Sequence, residues 1–183
     1  LVIKQILGNE QVTQYYVVSL IGKTLVLLIA PINTIVISYL TKRKERLTRS
    51  QFGKAVLAGG GVSLVFFVAC QIGTPLFVWL FYRNLYESVK GIVTVVNLAQ
   101  ILGLFSAFLF ILVLTFTDER WQLWIQLTHF CILLVSSVLA ARTYGMMGFA
   151  VASLGANSLR VAAVVILGIV KAGKDKGDRN ADR

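Results

Sequence analysis

Two cations lie deep in apolar sequence with no acid beside them: Lys23 in SLIGKTLVLLIA and Arg160 in GANSLRVAAVVIL. An unpaired charge in hydrocarbon costs several kcal/mol, so each must face protein, water or an anion. All eight acids (Glu10, Glu45, Glu87, Asp118, Glu119, Asp175, Asp178 and Asp182) fall outside the long apolar stretches. Cations without anions suit a cavity that receives a negatively charged ligand. They do not suit a cation exporter, which needs a carboxylate for its coupling ion. Nor do they suit a membrane prenyl- or phosphotransferase, which needs Asp-rich motifs for magnesium. No enzymatic activity, metal site or cofactor is expected. Two alternatives stay open. Lys23 lies about 9 Å inside its stretch, within snorkelling reach of headgroups, and Arg160 can serve structure rather than substrate.

Other polar residues mark possible faces. Asn157 precedes Arg160 by three positions, and Gly148, Ala152 and Ala156 repeat every four, a stripe that suits close helix packing. Asn33 falls near the face of Ser19 and Lys23, and Asn97 and Gln100 share a face three apart. These six, Lys23, Arg160, Asn157, Asn33, Asn97 and Gln100, are the candidate cavity residues. Gln126 and His129 form a similar pair. His129 is read as an interhelical hydrogen-bond partner rather than a proton relay, since no carboxylate is near it in sequence. Pro31 and Pro75 each remove a backbone donor, which predicts kinks and makes them hinge candidates. Cys70 and Cys131 sit singly in apolar sequence, as inert thiols.

The elements that must hold these residues are membrane helices. Of the 183 residues, 57% are hydrophobic and 14% charged, against roughly 45–50% and 25% in soluble domains. The apolar residues come in blocks long enough to cross a bilayer core of about 30 Å, and lipid offers the backbone no partners, so the spans must be helical. The reading is an all-α integral membrane protein with about five transmembrane helices, at 17–40, 55–82, 91–115, 121–141 and 146–171. Residues 1–16 read as the end of a truncated helix and an outer loop, and 172–183 as a polar cytoplasmic tail. Loop 41–54, loop 116–120 and the tail with Lys171 before it collect twelve Lys/Arg, against four on the opposite side. The basic side should be cytoplasmic, with the N-terminal end outside. The net charge of +10 therefore reflects orientation and anionic headgroups, not nucleic acid.

The run Ile6–Pro31, ILGNEQVTQYYVVSLIGKTLVLLIAP, resembles the opening of the second lobe of polysaccharide (O-antigen-type) flippases. These belong to the multidrug/oligosaccharidyl-lipid/polysaccharide, MATE-like superfamily. Gly8, Val12, Tyr15 or Tyr16, and Pro31 carry the likeness, followed by a basic loop. Residues 144–150, YGMMGFA, resemble the family's turn into its last core helix. The resemblance implies a partial second lobe of a twelve-or-more-helix flippase in the bacterial cytoplasmic (inner) membrane. Its substrate would be oligosaccharide linked to undecaprenyl diphosphate, and its partner a missing N-terminal lobe. Lys23 and Arg160 would then contact diphosphate or acidic sugar while two lobes rock about a central cavity. The alternatives are a multidrug or cation antiporter of the same superfamily, and a non-transporting membrane scaffold.

Overall fold

The computed structural model describes residues 2–42, 47–114 and 117–172. Every element among them is a helix: α1 (Val2–Lys42), α2 (Arg49–Phe81), α3 (Arg83–Val89), α4 (Val93–Leu114) and α5 (Glu119–Lys171). All but the short α3 are long and apolar enough to cross a membrane. Arg43, Lys44, Arg46 and the tail from residue 173 lie outside the described residues, so the loop charges behind the orientation reading are known from sequence alone.

Glycines divide the two longest helices. In α1, Gly8 has φ 78° and ψ 171°, leaving a short piece before a helix from residue 9 onward. In α5, Gly145 has φ 60° and ψ −141°. The chain reverses there: a Cβ on Gly148 would run into the carbonyl of Ala140, and His129 meets Asn157 across the turn. α5 is therefore a hairpin of two arms, 119–144 and 146–171, where the sequence reading has separate spans at 121–141 and 146–171. Few side chains tolerate the backbone found at Gly145, whereas glycine has no Cβ to clash.

Three other boundaries differ from the sequence reading. α1 is helical from residue 9 rather than 17, so residues 9–16 are not an outer loop. α2 starts at Arg49 rather than 55, because Thr48 and Gln51 form a reciprocal capping box, Thr48 Oγ1 accepting from Gln51 N at 3.3 Å and Gln51 Oε1 accepting from Thr48 N at 3.1 Å. The loop read at 83–90 is mostly the helical turn α3. There Lys90 donates to Glu87, which raises the lysine pKa, but both groups are exposed and the pair adds little to stability.

α4 is the central helix. Of its most apolar stretch 39% is buried, against 6% for each of the others. Gln71 of α2 reaches Thr94 at the start of α4, while Gly59 lies against Phe108 further along it, so α2 and α4 are antiparallel. Tyr15 stacks edge-on against Phe149 with ring centroids 4.8 Å apart, and Gln11 lies near Gly145, so α1 runs parallel to the second arm. One apolar cluster joins Val18, Val78, Val89, Val96 and Ala150 at one end of the bundle. A second joins Phe52, Leu109, Leu112, Val113 and Val164 at the other.

Replacing Gly145 with alanine is expected to destabilise the fold by about 1–3 kcal/mol, the cost of forcing a side chain into this backbone region. Gly155→Ala, at a helical glycine with open space around it, should be neutral or gain up to about 1 kcal/mol. Unfolding in mixed detergent micelles compares the two. Equal effects would mean that the hairpin does not depend on the Gly145 backbone.

Candidate functional site

Arg160 is the cation that the fold keeps inside. It sits on the second arm of α5, half-buried, with its guanidinium 5.6 Å from the Phe110 ring centre of α4. Its Nε is buried without a hydrogen-bond partner, and the only ion pair among the described residues joins Lys90 and Glu87. Arg160 lines a cavity of about 390 Å³ between the two arms, with Trp121, Trp124, Ile125, Thr128, His129, Ile132, Ala156, Leu159 and Ala163. At its outer end, Lys171 stacks over Trp121 at 5.6 Å.

Asn157 and His129 brace this cavity. Asn157 Nδ2 donates to the Ala99 carbonyl at 2.8 Å, and its Oδ1 lies 3.2 Å from His129 Nε2. One amide thus ties α4 to both arms. Asn157 can approach α4 because Gly103 faces it; a Cβ there would stand 3.3 Å from Asn157 Nδ2. Gly103 was not among the candidates, yet Ala99, Gly103 and Ala107 form a four-residue repeat of the same kind as Gly148, Ala152 and Ala156. In the second stripe, Gly148 packs on the Ala140 backbone and Ala156 faces the cavity, so the stripe closes the hairpin on itself.

The remaining candidates lie elsewhere. Lys23 is exposed, with Nζ 4.1 Å from the Tyr16 ring centre. It borders a shallow depression with Leu7, Val12, Tyr15 and Phe149, which shares no residue with the Arg160 cavity. The two cations are not brought together. Asn33 lines a third space, a half-open groove of about 260 Å³ bordered by α1, α2 and α4 and almost wholly apolar, with Phe105 and Phe108 in its wall; its Oδ1 is buried and unpartnered. Gln100 packs so closely on Gly22 of α1 that any side chain there would overlap it, and its Nε2 is likewise unpartnered.

Asn97 has no capacity left for a ligand donor-acceptor pair. Its Nδ2 donates to the Cys70 carbonyl at 3.1 Å and to Gln71 Oε1 at 3.0 Å, and its Oδ1 accepts from Thr74 at 3.2 Å. It is fully buried and acts as a brace between α2 and α4. The brace grips α2 one turn before Pro75, where the proline leaves a backbone carbonyl without its usual donor. α2 continues through Pro75 and α1 through Pro31; the non-helical backbone angles inside long helices occur at Gly8 and Gly145. Among the described residues no group of His, Cys, Asp or Glu is placed to hold a metal ion.

No family model, curated protein or solved structure matches this chain.

Asn97→Ala is expected to lower stability by about 1–2 kcal/mol, taking three interhelical hydrogen bonds at roughly 0.6 kcal/mol each. Unfolding of the variant in detergent measures it. A loss no greater than that of a surface substitution such as Ser158→Ala would show that the brace is idle.

Proposed function

We propose that this chain spans a membrane and forms part of a flippase. Its cargo would be an oligosaccharide carried on a lipid diphosphate, moved across the cytoplasmic membrane for polysaccharide biosynthesis. Arg160 carries the reading: a half-buried arginine lining a cavity between the two arms, with a free donor and no carboxylate paired with it among the described residues. A guanidinium offers a planar fork of donors that matches phosphate oxygens. A diphosphate would supply both the charge and the acceptors that the site lacks.

The outward faces support the membrane part of the proposal. Leu27, Leu57, Val65 and Leu123 are 68–78% exposed, an arrangement that water penalises and lipid does not. Helix directions put the end of α1, the start of α2, the end of α4 and both ends of the α5 hairpin at one end of the bundle. That is the basic end, cytoplasmic by the positive-inside rule. Arg160 lies eleven residues before Lys171, about 16 Å along the arm, so a headgroup would reach it from the cytoplasmic leaflet, past Trp121 and Lys171. A scaffold that packs through its small-residue stripe is less well supported, because that stripe faces the chain's own hairpin. An antiporter of the same superfamily would need an intramembrane carboxylate, and the acids of the described helices lie near helix ends.

The test is binding of a fluorescent polyprenyl-diphosphate oligosaccharide by the chain in nanodiscs, with the uncharged polyprenol as control. Arg160→Gln is expected to weaken binding about 10- to 100-fold, the worth of one charge-assisted hydrogen-bonded contact. Lys23→Gln should change it far less. Equal affinity for diphosphate and polyprenol, or no loss at Arg160→Gln, would defeat the proposal.

A further inference from the structure

We infer that anion binding in the Arg160 cavity takes up a proton on His129. The inference rests on the anion-site reading above and adds a pH dependence to it.

The hydrogen-bond chain assigns the imidazole tautomer. The Ala99 carbonyl only accepts, so the amide group bonded to it must be the Nδ2 of Asn157. Asn157 therefore turns its Oδ1 toward His129. That oxygen also only accepts, so His129 Nε2 must carry hydrogen. In the neutral ring Nδ1 is then the bare nitrogen, and it has no hydrogen-bond partner among the described residues. An incoming proton goes to Nδ1 and leaves the bridge to Asn157 and Ala99 intact. Protonation thus changes the charge of the cavity wall without dismantling the contact that holds the arms to α4.

The surroundings make that charge depend on the ligand. From the second arm, the charged group facing His129 is Arg160. Asn157 bonds to the His129 Nε2, and Thr128 and Trp124 of the histidine's own arm line the same cavity; from α4 the Phe110 ring packs on Arg160 and the Ala99 carbonyl on Asn157. Among the described residues no carboxylate lines the cavity. The acid of the same arm's N-cap, Asp118, is eleven residues away, about 16 Å along the axis. In the empty cavity a protonated His129 would be a second cation beside Arg160 with nothing to offset it. A diphosphate brings more than one negative charge, so a single arginine leaves it under-neutralised and a charged imidazole becomes favourable. Ligand and proton enter together.

The experiment titrates the chain in nanodiscs of neutral phospholipid with farnesyl diphosphate by calorimetry, at pH 8, 7 and 6. Buffers of different ionisation enthalpy report the protons taken up. Linkage of one proton to binding makes affinity rise by up to about tenfold per pH unit as pH falls. His129→Gln keeps an N–H for Asn157 but cannot titrate. The difference in pH slope and proton uptake between native and variant isolates the histidine from the ligand's own phosphate ionisation. A steeper native slope with greater proton uptake supports the inference. Binding with identical slopes in both proteins overturns it and leaves the anion site standing. Absence of binding by either protein at every pH overturns the anion site and this inference with it.

Discussion

Hydrogen-bonded polar side chains sit within an apolar core in this bundle, and apolar side chains also cover its outside. Its outer faces carry large aliphatic and aromatic side chains, while Asn97, Thr74, Ser106 and Ser19 are buried almost completely. Burial of apolar surface cannot drive such helices together when the surrounding medium is as apolar as the side chains. What remains is close packing and hydrogen bonding between helices. The buried core is mostly Val, Leu, Ile and Ala, and glycines set the closest approaches between helices. Gly22 admits Gln100, Gly59 admits Phe108, Gly103 admits Asn157 and Gly168 admits Phe52. Each contact joins two different helices; at Gly22, Gly59 and Gly168 a Cβ would overlap the partner, and at Gly103 it would crowd Asn157.

This packing dictates where polar groups can go. Between α2 and α4, four side chains satisfy one another around Asn97 and leave no space. Between the two arms of α5 the same chemistry is stretched thinner. One amide, Asn157, bridges His129 and the α4 backbone, and beside it the wall opens into the cavity that Arg160 lines. The difference follows from the hairpin. Gly145 and Gly148 bring the arms together tightly at the turn, and Trp121, Trp124 and Leu159 occupy the wider space farther down.

The order of the long helices was legible in the sequence because long apolar blocks leave a backbone few choices, whereas the short α3 was read as a loop. Span 91–115 compares with α4 at Val93–Leu114, and the turn expected at 142–145 contains Gly145. The starts of α1 and α2 were placed too late, since hydropathy detects apolar stretches and not the polar turns that precede them. The T-x-x-Q cap at Thr48 was a readable signal for α2. The candidate site was legible only along single helices. Asn157 and Arg160 could be paired by spacing, and His129 read as a bridging residue. Spacing says nothing about how one helix is rotated against the next, and that rotation separates Lys23, Asn33, Asn97 and Gln100 from Arg160.

The two cations show why burial alone does not define a site. Lys23 has a flexible stem, is exposed and rests its ammonium on the Tyr16 ring at the surface of the bundle. Arg160 is more enclosed. About 16 Å of helix separates it from Lys171, its guanidinium packs against Phe110, and its Nε points into buried space. Removing a charge from water is repaid only if the geometry also supplies acceptors, and the described walls of this cavity are aromatic and aliphatic apart from His129 and Thr128. A neutral residue of similar size would fill the same space at lower cost. The arginine therefore fits the proposed anion site better than a role in packing alone.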